Sequence, residues 1–335
     1  MTEILLTIFF ISVLLFFLGS GIWVAISMIG VSAIGMMLFT SRPVGDAMAT
    51  TIWGTSSSWT LTALPLFVWM GEILFRTKLS ENLFKGLSPW MQKLPGGLIH
   101  VNVVGCALFA AISGSSAATV ATVGKMSIPE LRKRNYPEKI LLGSLAGSGT
   151  LGLLIPPSII LIIYGVAVQE SIAKLFIAGI IPGIMIALIF MSYVIIWSLI
   201  NKKSMPKIIE EYSFFEKIKR SKQLLPVIIL ILAVIGSIYT GIATATEAAS
   251  LGVVGALILS YFQKSLTLKT FKSSLLGATK TSCMIAFILA GSTFLSLAMG
   301  FTGLPRNLAL WIQNMELSPY VLIFVLSLIH ISEPT

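Results

Sequence analysis

The sequence has 335 residues, of which 56% are hydrophobic and only 11% charged, with a formal net charge of +10. Average soluble proteins carry roughly twice that charged fraction, so the composition excludes an ordinary soluble globular protein. The apolar runs are continuous rather than alternating, which argues against a transmembrane β-barrel and predicts an all-α polytopic membrane protein. The excess of Lys and Arg is read as an orientation signal in short loops, not as a nucleic-acid surface.

The first third of the chain predicts three membrane spans followed by a surface helix. Apolar runs at 4–18, 22–39 and 59–75 are long enough, or nearly so, to cross the hydrocarbon layer as helices. A basic stretch then occupies 76–93, and its apolar residues recur at helical spacing. We therefore expect an amphipathic helix on the cytoplasmic surface over this stretch.

Residues 101–124 lie between two basic segments, 76–93 and 125–139. The positive-inside rule places both segments in the cytoplasm, which excludes a single crossing between them. Two full crossings need about 40 residues, and this stretch is much shorter. The sequence therefore predicts a re-entrant hairpin over 101–124, with its tip at Ser113, Gly114, Ser115 and Ser116.

At the predicted tip the backbone is not helical, so its N–H and C=O groups lack helical partners at membrane depth. Such backbone is tolerated only when it is buried in protein or lines a polar cavity. Gly114 allows a tight turn, and the three serines supply oxygens that can hydrogen-bond the loose backbone or bind an ion. A close-packing seam of small residues between two helices remains an equally good interpretation of this stretch alone.

The next apolar run, 141–168, predicts a helix that is broken near its middle. Gly149, Gly152, Pro156 and Pro157 interrupt it, and the prolines should free the carbonyls of 153–156. A discontinuous helix at mid-membrane points to a substrate or ion site in secondary transporters, whereas a simple proline kink is the alternative. A further span is predicted at 172–200.

After a basic cytoplasmic linker at 201–223, the order of elements repeats. Spans predicted at 224–242, 248–262 and 282–300 and a surface segment at 305–315 follow the order of the first half. Charge assigns the two halves opposite orientations, which predicts inverted repeats covering 1–200 and 224–335. The second repeat is expected to be incomplete, and the polar residues from about 327 resemble a foreign tail.

Five motifs give the chain a family resemblance. They are similar to motifs of the large membrane (M) subunit of TRAP transporters, the tripartite ATP-independent periplasmic transporters, and they occur in the same order. They are LPLFVWMGE at 64–72, LPGG at 94–97, SGSSAAT at 113–119, GLLIPPS at 152–158 and LFIAGIIPG at 175–183. The resemblance extends over almost the whole chain, to about residue 326.

The resemblance implies an elevator-type carrier in the bacterial cytoplasmic (inner) membrane that uses a Na⁺ gradient. It implies two protein partners, a small four-span membrane (Q) subunit and a soluble periplasmic (P) binding protein. The implied cargo is an organic anion, such as a C4-dicarboxylate, sialic acid or another sugar or keto acid. By position, one Na⁺ site would be formed by Ser113, Gly114, Ser115, Ser116, Gly149, Gly152, Ile155 and Pro156, and the substrate would meet Ser115, Ser116, Pro157 and Ser158.

Three other functions are weighed against this one. A stand-alone Na⁺-coupled anion permease would need no binding protein, and a channel could also use re-entrant loops. An intramembrane serine hydrolase would use Ser115 or Ser148, but its serine needs an activating base. The two histidines, His100 and His330, lie at a membrane edge and in the suspect tail, so we do not expect an enzyme.

Overall fold

The computed structural model describes residues 2–76, 79–206, 212–222 and 224–332. Within these ranges the regular structure is entirely helical, with short 3₁₀ turns at Trp59–Thr62 and Lys202–Ser204. The α-helices are α1 (Thr2–Gly19), α2 (Val24–Phe39), α3 (Val44–Ser56), α4 (Ala63–Phe75), α5 (Leu79–Met91), α6 (Ile99–Ser113), α7 (Ser116–Lys133), α8 (Glu138–Gly149), α9 (Leu151–Leu154), α10 (Ile159–Val168), α11 (Ile172–Ile200), α12 (Phe214–Ser221), α13 (Leu225–Tyr239), α14 (Ala245–Phe262), α15 (Leu268–Phe301), α16 (Leu304–Gln313) and α17 (Pro319–Ser332).

Four helical segments in the described ranges are long and apolar enough to cross a membrane. They are Glu138–Val168, α11, α14 and α15. A bent pair, α3 with Trp59–Phe75, passes the same test with a 54° bend. The predicted all-α membrane class is confirmed, whereas α1 and α2, with 18 and 16 residues, are at or below the usual length of a span.

Contacts divide the chain into two compact units, Met1–Ser57 with Ile285–Thr335, and Ser58–Met284. In the described part of the first unit, Phe10, Val31 and Leu304 form one buried cluster. Met36 and two residues of α15, Phe294 and Ala298, form another. This unit therefore has a small apolar core of its own.

The second unit holds the elements in which the sequence predicts a site. Helix α4 packs closely on α14, where Gly252 lies against Met70. The next residue of α4, Gly71, meets the end of α6, since a Cβ there would lie 3.0 Å from the Cα of Ser113. Phe67 and Phe176 pack edge to face and join α4 to α11. The site is thus enclosed by helices on several sides.

Segments that the sequence assigns to the cytoplasm are neighbours in this unit. The Trp90 indole N–H donates to the Ser221 hydroxyl at 2.8 Å, which joins the surface helix to the linker. The Arg76 guanidinium donates to the Ser273 carbonyl at 3.1 Å. The Trp90–Ser221 contact agrees with one common membrane face for the two predicted cytoplasmic segments, 76–93 and 201–223. Their placement in the cytoplasm stays a prediction.

Several predicted boundaries differ from those in the structure. The hairpin arms extend over 99–133 rather than 101–124, and the broken helix begins at Glu138 rather than 141. Helix α15 runs without a break from Leu268, whereas a span was expected only from 282. The helix begins earlier because the lysine-rich residues before 282 are spaced as on a helix and remain helical, although they are too polar for a membrane span. Residues 207–211 and 223 of the predicted linker, and 333–335 of the predicted tail, lie outside the described residues.

Candidate functional site

Helices α6 and α7 form a hairpin with a two-residue turn. Gly114 has φ +59°, a left-handed conformation that favours glycine. The arms lie side by side, because a Cβ on Gly105 would be 3.6 Å from the Val123 side chain. At the base, the Leu98 amide donates to the Tyr136 hydroxyl at 3.0 Å. Burial raises the pKa of this phenol, so Tyr136 stays neutral where the chain enters and leaves the hairpin.

The hydroxyl groups at the hairpin tip form a network. The Thr119 hydroxyl donates to the Ser115 carbonyl at 2.7 Å and lies 3.0 Å from the Ser113 hydroxyl. The Ser115 amide donates to the Ser113 hydroxyl at 3.3 Å. The Ser115 hydroxyl in turn accepts from the Ala118 amide and caps α7. The tip thus satisfies much of its own backbone without lipid or water.

The facing helix is interrupted between α9 and α10. The Ser158 hydroxyl reaches back over the break and donates to the Leu153 carbonyl at 2.6 Å. Throughout the described residues, no hydrogen bond ends on the carbonyl oxygens of Leu154, Ile155, Pro156 or Pro157. The expected set of free carbonyls, 153–156, is therefore wrong at Leu153, because the serine after the prolines occupies it.

The hairpin tip docks directly on this break. The Ile159 amide, at the start of α10, donates to the Gly114 carbonyl at 3.1 Å. A Cβ on Gly152 would lie 2.8 Å from the Ser115 carbonyl carbon and the Ser116 nitrogen. At Gly149 a Cβ would collide with Val120 of the second arm. The two interruptions found in the sequence thus meet, and two glycines provide the clearance.

The predicted site residues have different surroundings in the structure. Ser115 and Ser116 are partly exposed, whereas Ser113 and Ser158 are buried. The Ser158 hydroxyl already donates inward to Leu153. Gly149 and Gly152 act in packing, and the backbone of Ile155, Pro156 and Pro157 supplies unpartnered oxygens. Ion and substrate binding by these residues stays a prediction.

Two residues of this cluster were not selected from the sequence. Thr119 is fully buried and bonds to both Ser113 and Ser115. Its signal was present, since a hydroxyl four residues after Ser115 lies one helical turn beyond the tip. Gly179 of α11 lies beside the break, where its Cβ would be 2.7 Å from the Leu154 oxygen. The position of Gly179 beside the break depends on tertiary packing, and no local sequence pattern indicates it.

The donor set at the site is made of neutral oxygens. In the part of the chain that the structure describes, no group of three or more His, Cys, Asp or Glu side chains could hold a metal ion. Hydroxyl and carbonyl oxygens around a broken helix suit a weakly bound monovalent cation, as in transporters that use unwound helices. The arrangement therefore fits Na⁺ better than a resident divalent metal.

The serines of the site have no activating histidine among their described hydrogen bonds. His100 Nε2 contacts the Pro95 carbonyl at 2.8 Å, so that nitrogen acts as a donor. The Ser148 hydroxyl donates to the Ser144 carbonyl one turn back. Neither contact resembles a serine paired with a general base, which nucleophilic catalysis requires.

Comparison with known proteins gives a consistent family. The profile of the "Tripartite ATP-independent periplasmic transporter, DctM component" family matches residues 10–331. The C4-dicarboxylate TRAP transporter large permease protein DctM of Pseudomonas aeruginosa is 32% identical over 299 residues, which is 89% of this chain and 69% of that protein. The sialic acid TRAP transporter large permease protein SiaM of Vibrio cholerae is 31% identical, over 93% of this chain and 72% of that protein.

A third relative carries a composite name. The isethionate TRAP transporter permease protein DctMQ of Oleidesulfovibrio alaskensis is 31% identical over 88% of this chain. The match covers 46% of that longer protein. All three relatives are named as transporter permeases, and none is named as an enzyme.

Proposed function

This chain belongs to the DctM component family of the tripartite ATP-independent periplasmic transporters, and we propose that it imports an organic acid anion by Na⁺ symport. It is a transporter membrane subunit and not an enzyme. The proposed membrane is the bacterial cytoplasmic membrane. The contact of the hairpin tip with the broken helix is the observation that carries the proposal.

Na⁺ would bind where the tip meets the break. The unpartnered carbonyls of Leu154, Ile155 and Pro156 belong to the break, between Gly152 and Pro157, which both contact the tip. Each carbonyl carries a partial negative charge, and together they would repel an anionic substrate. A bound Na⁺ would neutralise them, so that the anion binds to a site that is no longer negative. The affinity for Na⁺ and the affinity for the anion would therefore depend on each other.

The substrate would bind at the partly exposed side of the tip. Ser115 and Ser116 are the accessible hydroxyl-bearing residues there. Pro157 and Ser158 are buried against Gly114, so they would reach the substrate only after the tip moves. An organic carboxylate accepts hydrogen bonds from hydroxyl and backbone N–H groups. The relatives named for C4-dicarboxylate and sialic acid support an acid anion as the substrate class.

The proposed movement is an elevator in which the hairpin and the broken helix travel as one body. The Gly114–Ile159 hydrogen bond and the close packing at Gly152 join them. Because backbone atoms rather than flexible side chains make this joint, opening the tip alone would break a tight contact. A common displacement keeps the site intact.

Two partners are proposed with this function. The name DctMQ of the longer relative supports a small membrane subunit that works with the large one. A soluble binding protein would deliver the substrate from the periplasm, as the family name implies. A stand-alone permease is the second candidate, and uptake that needs no binding protein would favour it.

Uptake by proteoliposomes tests the proposal. The chain is reconstituted with its membrane and binding partners, and uptake of labelled succinate and sialic acid is measured against Na⁺ or K⁺ gradients. We expect uptake only with Na⁺, and we expect Ser113→Ala to raise the half-saturating Na⁺ concentration about tenfold, equivalent to about 1.4 kcal/mol.

The matched control is Ser127→Ala in the same hairpin. Ser127 is fully buried, and its hydroxyl has no hydrogen-bond partner among the residues that the structure describes. This variant should keep the wild-type dependence on Na⁺. Uptake that is equal in K⁺, or a Na⁺ dependence that Ser113→Ala leaves unchanged, would contradict the proposed coupling.

A further inference from the structure

A basic groove lies beside the first turns of α15. It is an open cavity of about 670 Å³, and its cationic residues are Arg76 at the end of α4 and Lys269, Lys272 and Lys280 on α15. Leu268 and Leu276 also line it. The function proposed above makes no use of these residues.

The lysines of the groove share one face of the helix. Lys269, Lys272 and Leu276 are spaced by three and four residues, and Lys280 follows one turn later. All three lysines are exposed. Leu276 lies between them and is 60% exposed, and Leu268 is 71% exposed. The face therefore combines positive charge with unburied apolar surface.

The positive charge of the groove is largely uncompensated. Arg76 is paired with Glu72 at 2.7 Å and held to the Ser273 carbonyl. For the lysines, the described part of the chain provides no ion pair and no hydrogen-bond partner. The groove thus keeps about three positive charges for a ligand, and an anion is the complementary partner.

The length of α15 places this groove at a membrane surface. The helix has 34 residues and rises about 51 Å, whereas the hydrocarbon layer is ~30 Å thick. Its apolar residues are concentrated after 281, so the Lys-bearing turns must project into the headgroup layer. Exposed leucines are unfavourable in water but insert at a lipid interface, where lysine side chains reach the phosphates.

We infer that this groove binds the phosphate-bearing headgroup of an anionic phospholipid. Lys269, Lys272 and Lys280 supply the positive charge for the phosphate, and Leu276 supplies apolar surface for the glycerol and upper acyl carbons. Charge and apolar surface in one groove distinguish this ligand from a free anion. Basic clusters immediately beside a membrane span are the usual form of such sites.

Native mass spectrometry of the full chain in detergent tests this inference. The protein is titrated with phosphatidylglycerol and, separately, with phosphatidylcholine. We expect saturable binding of phosphatidylglycerol that is much tighter than that of phosphatidylcholine. The variant with Lys269→Gln, Lys272→Gln and Lys280→Gln should lose about a hundredfold in affinity, because each cation near a lipid phosphate contributes a factor of roughly five.

The control carries Lys203→Gln, Lys219→Gln and Lys222→Gln, three exposed lysines elsewhere with the same change in charge. It should bind phosphatidylglycerol within about twofold of wild type, and Lys→Arg at the three groove positions should retain binding. Equal losses in both Gln variants would overturn the site as non-specific attraction. Displacement of the lipid by millimolar inorganic phosphate would overturn the lipid assignment in favour of a free anion, and equal affinity for both lipids would overturn the inference outright.

Discussion

At the scale of single residues, hydroxyl groups at the hairpin tip do two different things. Thr119 is bonded to the Ser115 carbonyl and to the Ser113 hydroxyl, and so it fixes the shape of the tip. Thr122, three residues later on α7, is also buried, but its hydroxyl has no hydrogen-bond partner in the described part of the chain. The two threonines therefore separate the effect of a hydrogen bond from the effect of a buried polar atom.

We predict that Thr119→Val destabilises the protein by about 1–3 kcal/mol, because it removes a donor to Ser115 from a dry site. It should also weaken Na⁺ binding. Thermal unfolding in detergent, with and without Na⁺, measures both effects.

Thr122→Val is the matched control for this prediction. It replaces an unpartnered buried hydroxyl with a methyl group of similar shape, and so it should be neutral or slightly stabilising. If the two variants have the same unfolding temperature, the network at the tip has no energetic importance.

The residues that sequence reasoning selected well were those with a strong local signature. The sequence predicts a tight turn at Gly114, which has the left-handed φ that glycine favours. Pro156 and Pro157 were chosen as a helix break and lie in one. Leu153 was expected to have a free carbonyl, but Ser158 bonds to it. Which of several free carbonyls is occupied depends on side-chain rotamers that sequence patterns do not encode.

At the scale of elements, the hairpin and the broken helix are joined by backbone contacts. Gly152 faces the Ser115–Ser116 peptide at a distance that leaves no room for a methyl group. The sequence indicated both interruptions but not that they touch. Their contact depends on α6 and α8 packing side by side, which is a tertiary property.

We predict that Gly152→Ala forces the tip away from the break and costs about 1–3 kcal/mol of stability, as overpacking does elsewhere. Transport should be lost, because the proposed Na⁺ site is divided between the two elements. Uptake in proteoliposomes and thermal unfolding measure the two consequences.

Gly143→Ala is the control within the same broken helix. A Cβ at Gly143 would meet no atom of the described residues within 4 Å. Alanine there should stabilise the helix by up to about 1 kcal/mol and leave transport intact. Normal uptake by Gly152→Ala would contradict the tight joint between hairpin and helix.

Element boundaries were predictable where polarity changes abruptly. The stretch 76–93, where a surface helix is expected, contains α5 at Leu79–Met91, and the apolar run at 172–200 is α11. The position of α5 at the membrane surface stays a prediction. The start of α15 was missed, because lysines at helical spacing beyond the membrane extend a helix as well as apolar residues do. Hydropathy marks the part of a helix inside lipid, not the whole helix.

At the scale of the whole molecule, the re-entrant hairpin and the proposed transport depend on how the chain lies in the membrane. Charge alone predicted that the chain enters and leaves the hairpin on one side. In the structure, the Leu98–Tyr136 hydrogen bond closes the base of the hairpin. The cytoplasmic side remains a prediction, because it describes orientation to a bilayer rather than contacts within the protein, and the inverted repeats remain a prediction as well.

Cysteine accessibility tests the re-entrant hairpin most directly. Single cysteines replace the exposed residues Lys93 and Lys133 on either side of the hairpin, in a background with Cys106→Ala and Cys283→Ser. Glu170→Cys, beyond the broken helix, reports the opposite face. A membrane-impermeant thiol reagent is applied to right-side-out and to inside-out vesicles. The account predicts that Lys93→Cys and Lys133→Cys are both labelled only in inside-out vesicles, whereas Glu170→Cys is labelled only in right-side-out ones. Labelling of the first two positions from opposite faces would contradict it.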